Sequence, residues 1–289
     1  MEQLNNQTPA ISVALIRGVH AQSTYYNDLL DFSEKHISQN LKQKIATLIV
    51  FAAPTEVSES IIKAMYVEHN DADRSYHRVF NSFESFAKIA CCVDNTDYLY
   101  QECMENIEVE QENIFHEFKM LRQRRKEAKG SYVEQICVDR ALAVGDMVCG
   151  NTFRKVLQFI LENIRTPNDG IEKIRTESCI KIYHRKQSAQ FHVDVSTSEG
   201  LIQSQVKTEK RKVYFATGCV GFFEEKGAKI PVSLGPGGSI DTASIMATAL
   251  RSREISVFHP KEYARKKNDA HFVCKRAREY GDVKISFNS

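Results

Sequence analysis

Gly235, Pro236, Gly237 and Gly238 directly follow the apolar run 230–234, and Ser239 and Asp241 come next. Four breakers in a row end a strand. Ser239 or Asp241 is suited to N-cap a helix carrying Ile245, Met246, Ala249 and Leu250 on one face. Glycines at a helix start leave backbone N–H groups open, and the helix dipole favours negative charge there. This makes Gly237, Gly238 and Ser239 a candidate phosphate site. Residues 254–258 then read as a β-branched strand, so 229–260 has the length of one βαβ unit. The glycine spacing is neither GxGxxG nor GxxxxGK[ST], and a tight turn alone accounts for the same residues.

A second stretch suggests different chemistry. Residues 261–278 hold Lys261, Arg265, Lys266, Lys267, Lys275, Arg276 and Arg278 against only Glu262 and Asp269, with Tyr263, His271, Phe272 and nearby Tyr280 interleaved. Cations in this density neutralise phosphates without reading sequence, and aromatics among them stack on unpaired bases. The seven basic residues are therefore the candidate nucleic-acid interface, with RNA, and single strands in particular, expected over DNA. The alternative is a solvated helix with Phe272 and Val273 packed inward.

The charge balance supports this division. The 289 residues carry a net charge of +2, yet residues 1–164 hold 17 Lys and Arg against 23 Asp and Glu, while residues 165–289 hold 22 against 14. A basic half suits a polyanion, and an acidic half suits solvent, another protein or the basic half of a second copy. Eight cysteines without a CxxC pair give neither a disulfide framework nor a metal signature, so buried thiols are expected, with no metal and no cofactor. The polar start MEQLNNQTPA and the lack of an apolar run of membrane length place the chain in the cytoplasm, away from a membrane.

Catalytic patterns are sparse. His184 and His192 flank an expected hairpin with Asp194 nearby, and Glu209, Lys210 and Arg211 approach the next strand. A metal-dependent nuclease would need a Lys where Arg211 stands. GxSxG, HExxH and Walker patterns do not occur. If the glycine turn binds a nucleotide, Asp241 or His259 is the residue nearest the chemistry.

These residues need elements to position them. Residues 11–16 are an apolar run, and the pattern from there to Ile164 reads as helical: 25–37, 41–53 closed by Pro54, a helix opened by Thr55, then Tyr76, Phe80, Phe83, Ala87 and Ala90 as one stripe. Residues 96–129 form the longest segment, acidic first and basic last, in accord with the helix dipole. At about thirty-four residues it would span roughly 50 Å, so part of it is expected to project or to pair with another copy. The capping-box sequence at Ser131–Glu134 opens a further helix, and another is expected from Asn151. The turn cluster 166–170 marks a boundary. Beyond it, 179–184, 190–195, 201–206 and 212–223 read as strands, followed by the glycine turn, a last helix and a strand at 283–287.

The run GGSIDTASIMATAL resembles the glycine-rich helix start of the DNA-processing protein A and lysine-decarboxylase-like nucleotide folds, a likeness of about a dozen residues that implies a nucleotide at the turn. The expectation is an α+β chain, with an acidic helical bundle in 1–165 that self-associates and a basic mixed α/β half with a small sheet in 171–289. The leading function is sequence-independent RNA binding by a homo-oligomer, a reading that leans away from an enzyme without deciding against one. The alternatives are a nucleotide-binding α/β enzyme using 235–241 and a structural assembly protein.

Overall fold

The computed structural model describes residues 11–17, 25–66, 72–91, 97–164, 170–184, 191–206, 212–258 and 267–288. Six of its strands are β1 (Ile11–Ile16), β2 (Ala46–Phe51), β3 (Ile171–Ile174), β6 (Val213–Thr217), β9 (Glu254–Phe258) and β10 (Lys284–Asn288). They form one sheet in the order β10-β9-β1-β2-β6-β3, and every neighbouring pair is parallel. The remaining strands make two antiparallel hairpins, β4 (Ile182–His184) with β5 (Phe191–Val193), and β7 (Val220–Glu225) with β8 (Ala228–Ser233).

A parallel sheet covered on both faces needs strands that are apolar at every position, and ISVALI, ATLIVF and VYFAT meet that need. Ala14, Ile16, Ile49, Phe51 and Phe215 face one helical layer, made of α1 (Tyr25–Phe32), α2 (Ser38–Lys42), α3 (Thr55–Tyr66), α4 (Ala72–Cys91), α5 (Asp97–Glu127) and α6 (Tyr132–Asn163). A π-helical turn, Ser33–Ile37, joins α1 to α2. Val13, Leu15, Leu48, Val50 and Tyr214 face the other layer, where α7 (Thr176–Cys179), α8 (Val195–Gln205), α9 (Gly238–Ala249) and α10 (Lys267–Ala277) lie. Phe51 and Phe153 of α6 stack at 4.2 Å in the first core.

The mixed helix and strand content with a parallel sheet agrees with the expected α+β class. Several elements differ from the sequence reading. Residues 41–53 are not one helix: the helix ends at Lys42, Lys44 takes a left-handed φ of 63°, and the β-branched run beyond it becomes β2. Between β1 and β6, this run is buried on both sides, and that environment outweighs its apparent helical period. Residues 201–206 belong to α8 rather than to a strand, because Asp194 caps the helix by accepting from the Thr197 N–H and hydroxyl. The stretch 229–260 is not a βαβ unit, since β8 pairs with β7 and lies outside the six-stranded sheet. Strands from both sides of the turn cluster at 166–170 share that sheet, with β1 and β2 in its middle.

The long segment does form one helix, α5, but it pairs within the chain. It lies antiparallel to α6, joined by Arg125–Glu134 (2.7 Å), Arg140–Glu117 (2.6 Å) and Lys155–Glu102 (2.7 Å). Helix α6 runs unbroken across the position where a new start at Asn151 was expected. At the Ser131 start, Glu134 reaches back to the Gly130 N–H (2.8 Å), while the Ser131 hydroxyl donates to the Ala128 carbonyl and caps nothing. Among the described residues, no helix is long and apolar enough to cross a membrane.

Candidate functional site

The strands β1, β2, β6 and β9 end in register: Ile16 lies beside Phe51 and Phe258, and Phe51 beside Thr217. β1 has its sequence successor β2 on one side and β9, from the far end of the chain, on the other. In open parallel sheets, a crevice outside the carboxyl ends at such a reversal is where ligands bind.

Helix α6 crosses this edge on two glycines. A Cβ at Gly145 would stand 2.2 Å from Ile61 Cδ1, the movable end of that side chain, and one at Gly150 would stand 2.4 Å from Thr217 Oγ1 with Thr217 Cγ2 and Cβ close behind, so the helix approaches β6 most tightly at Gly150. Between them lies Asp146, 5% exposed. Burial pushes its carboxyl up to about 8, and among the described residues no hydrogen bond reaches it. Its charge also raises the thiols of Cys149 and Cys219, for both of which burial is the larger cause. Thr217 Oγ1 is buried without a hydrogen-bond partner at the same edge. A buried hydroxyl without a partner, and a buried carboxyl that no described residue hydrogen-bonds, carry a cost that a ligand with the complementary groups would remove.

The glycine turn faces this point. Gly218 donates to the Phe51 carbonyl at 2.6 Å, and a Cβ on it would meet Ser239 at 2.9 Å. Gly237 adopts a left-handed φ of 82° and is the N-cap of α9, with no side chain capping the helix. The Gly237 carbonyl accepts from Ile240 and Asp241, and the Gly238 N–H donates to Gly235. The Ser239 N–H and hydroxyl both donate to the Cys219 thiol. The first N–H groups of α9 therefore have partners within the chain, and what the turn offers an anion is the positive end of the helix together with Arg276. Arg276 binds Asp241 through Nε and Nη2, each at 2.6 Å, and its Nη1 is the atom that a Cβ on Gly237 would meet at 3.0 Å.

The predicted residues are thus distributed over three settings. Gly237, Gly238, Ser239 and Asp241 come together at the start of α9. Burial raises the Asp241 carboxyl and Arg276 opposes that shift. Arg276 is committed to Asp241, whereas Lys275 and Arg278 are exposed on the outer side of α10. Lys267 opens that helix, and Lys261, Arg265, Lys266 and His259 lie outside the described residues, as do Glu209, Lys210 and Arg211. Phe272 is exposed while Val273 is buried, so only the second packs inward. His192 stacks on Tyr183 at 5.8 Å and Asp194 is a helix cap, which gives both a structural role. Among the described residues, no group of three or more His, Cys, Asp or Glu is placed to hold a metal.

Asp146, Thr217 and Cys219 were not singled out by the sequence reading. The available signal was Asp146 itself, a charge inside the apolar stretch 141–149 of a helix and directly after a glycine.

The sequence matches no family profile and no curated protein. The fold does have solved counterparts. Aspartokinase III of Escherichia coli in complex with lysine and aspartate (T-state) aligns with a TM-score of 0.59 at 15% identity, over 85% of this chain and 49% of that one. The same enzyme with aspartate and ADP (R-state) aligns with a TM-score of 0.60 at 16% identity, over 86% and 48%. The aspartate kinase of Clostridium acetobutylicum gives 0.50 at 15% identity, over 86% and 47%. The chain spans about half the length of each of these proteins. What the likeness shows is the fold: a parallel sheet with helices on both faces, similar to that of the aspartokinases.

This overturns the expectation of a nucleic-acid-binding protein with an RNA partner. The similar structures bind amino acids and ADP. The physical reason for the misreading lies in α10: among the described residues Lys275 is a surface cation, and Arg276, partly buried, is neutralised by Asp241.

Proposed function

We propose that this chain is a small-molecule-binding domain that holds an amino acid at the carboxyl edge of its sheet. Asp146 receives the ligand's ammonium group. The start of α9, at Gly237, Gly238 and Ser239, receives its anionic end together with Arg276 Nη1. The observation that carries this reading is Asp146: an enclosed carboxyl, with no hydrogen bond from the described residues, beside the positive end of a helix. The lysine, aspartate and ADP named for the similar structures support a ligand of this size and polarity. A cytoplasmic setting belongs to the same proposal, supported by Cys91 and Cys103, whose sulfurs lie 3.9 Å apart without forming a disulfide.

The test is calorimetric titration with aspartate, lysine and ADP, alongside thermal unfolding. Saturable binding of an amino acid that is lost in Asp146→Asn is expected. Because an ammonium needs the ionised carboxyl, affinity should rise as the pH passes upward through about 8. At a hundredfold excess over Kd, the ligand adds about 2.7 kcal/mol of stability. Binding of ADP alone, unaffected by Asp146→Asn, would place the ligand elsewhere and defeat the assignment.

A further inference from the structure

A cavity of about 400 Å³ lies away from the sheet edge, between the tip of the α5–α6 pair and the two hairpins. Its apolar wall is Val133 and Ile136 of α6, Ile182 of β4, Phe223 of β7 and Ile230 of β8, and charged side chains complete the lining. Tyr132 and Tyr183 stand at its rim, 60% and 43% exposed. Half-exposed rings beside an apolar hollow offer an aromatic guest faces to pack on. The volume falls within the range of small-molecule sites.

Charge decides which aromatic guest fits. Of the lining cations, Arg140 is bound by Glu117 and Lys181 by Glu224. Arg124 also lines the cavity, and its side chain has neither an ion pair nor a hydrogen bond among the described residues. A guanidinium presents a planar fork that matches a carboxylate. We propose that this cavity binds a small aromatic carboxylate, its ring among Ile136, Phe223 and Ile230 and its carboxylate on Arg124. Glu225, at the mouth, opposes the bound anion and restricts the guest to one negative charge. The site bridges both cores, since Ile136 packs against the α8–α9 side while its helix belongs to the other. A guest there would fasten the start of α6 to the hairpins.

The experiment is calorimetric titration of the full chain with phenylacetate, indole-3-acetate and, as a charge control, phenethylamine. Both acids should bind and the amine should not. Arg124→Gln, a change at an exposed side chain that leaves the fold intact, should weaken the acids at least tenfold. Glu225→Gln should tighten them, and Asp146→Asn should leave them unchanged, which separates this cavity from the sheet-edge site. The proposal is overturned if no acid saturates the protein by about 10 mM, if the amine binds as well, or if Arg124→Gln has no effect.

Discussion

Helix α6 treats its charges in two ways. Near its ends, Glu134, Arg140 and Lys155 each meet an opposite charge on α5 at 2.6–2.7 Å, in positions partly open to water. In its middle, between two glycines that hold it against α3 and β6, Asp146 is enclosed and no described group bonds to it. The paired charges settle how two long helices lie together. The buried one settles nothing in the packing, and its placement costs stability. Under the function proposed above, a ligand's ammonium group would remove that cost, which sets the middle of α6 apart from its paired ends.

The largest effect that would sharpen this contrast is in the pH dependence of stability. Folded, Asp146 keeps its proton up to about pH 8, whereas unfolded it loses it near pH 4. Between those values the unfolded state binds fewer protons, so raising the pH favours unfolding, by at most about 1.4 kcal/mol per pH unit from this group. Asp139, pushed up to about 7 by burial against the opposing hydrogen bond from Gln135, acts in the same direction. Denaturant melts of Asp146→Asn should show a flatter fall from pH 5 to 8 and greater stability than the parent at pH 8. Equal profiles would mean that Asp146 is ionised in the fold and has found a partner.

A smaller effect follows from the glycines beside it. Gly150→Ala places a methyl 2.4 Å from Thr217 Oγ1, and overpacking of this kind costs about 1–3 kcal/mol, more than the helix gains by losing a glycine. Gly200, inside α8, has nothing within 4 Å of its missing Cβ. Gly200→Ala should therefore stabilise the chain by roughly 0.5–1 kcal/mol. Urea titration of both variants reads the sign directly, and two stabilised proteins would show that α6 is not pressed against β6.

How far the sequence revealed this arrangement depends on the range over which each signal acts. α3, α5, α9 and β9 were legible because their caps, breakers and apolar periods are local, whereas the run 11–16 left strand and helix open. β2 was misread because an apolar run of TLIVF satisfies a helix and a buried strand equally, and only its neighbours β1 and β6 decide. At the site, the start of α9 was visible as glycines and Ser239, but its relation to Asp146 was not. The two are more than ninety residues apart and come near each other only because the middle of α6 crosses the edge at which β6 ends. The basic residues of α10 misled for the converse reason: a charge count does not show that Arg276 is answered by Asp241, thirty-five positions earlier.

The smallest effect tests the other half of the comparison. Lys155 and Glu102 pair at 2.7 Å with side chains 23% and 42% exposed. Pairs this close to water gain little, because solvent screens the attraction and two flexible side chains lose freedom. Lys155→Met should therefore cost less than about 1 kcal/mol in a urea titration, and less again in high salt. It should leave the binding of any ligand at the carboxyl edge unchanged, since that residue lies more than two helical turns from Asp146 along α6. A large loss of stability would mean that the α5–α6 pairs carry the fold, and a loss of binding would mean that the ends of α6 are not separable from its middle.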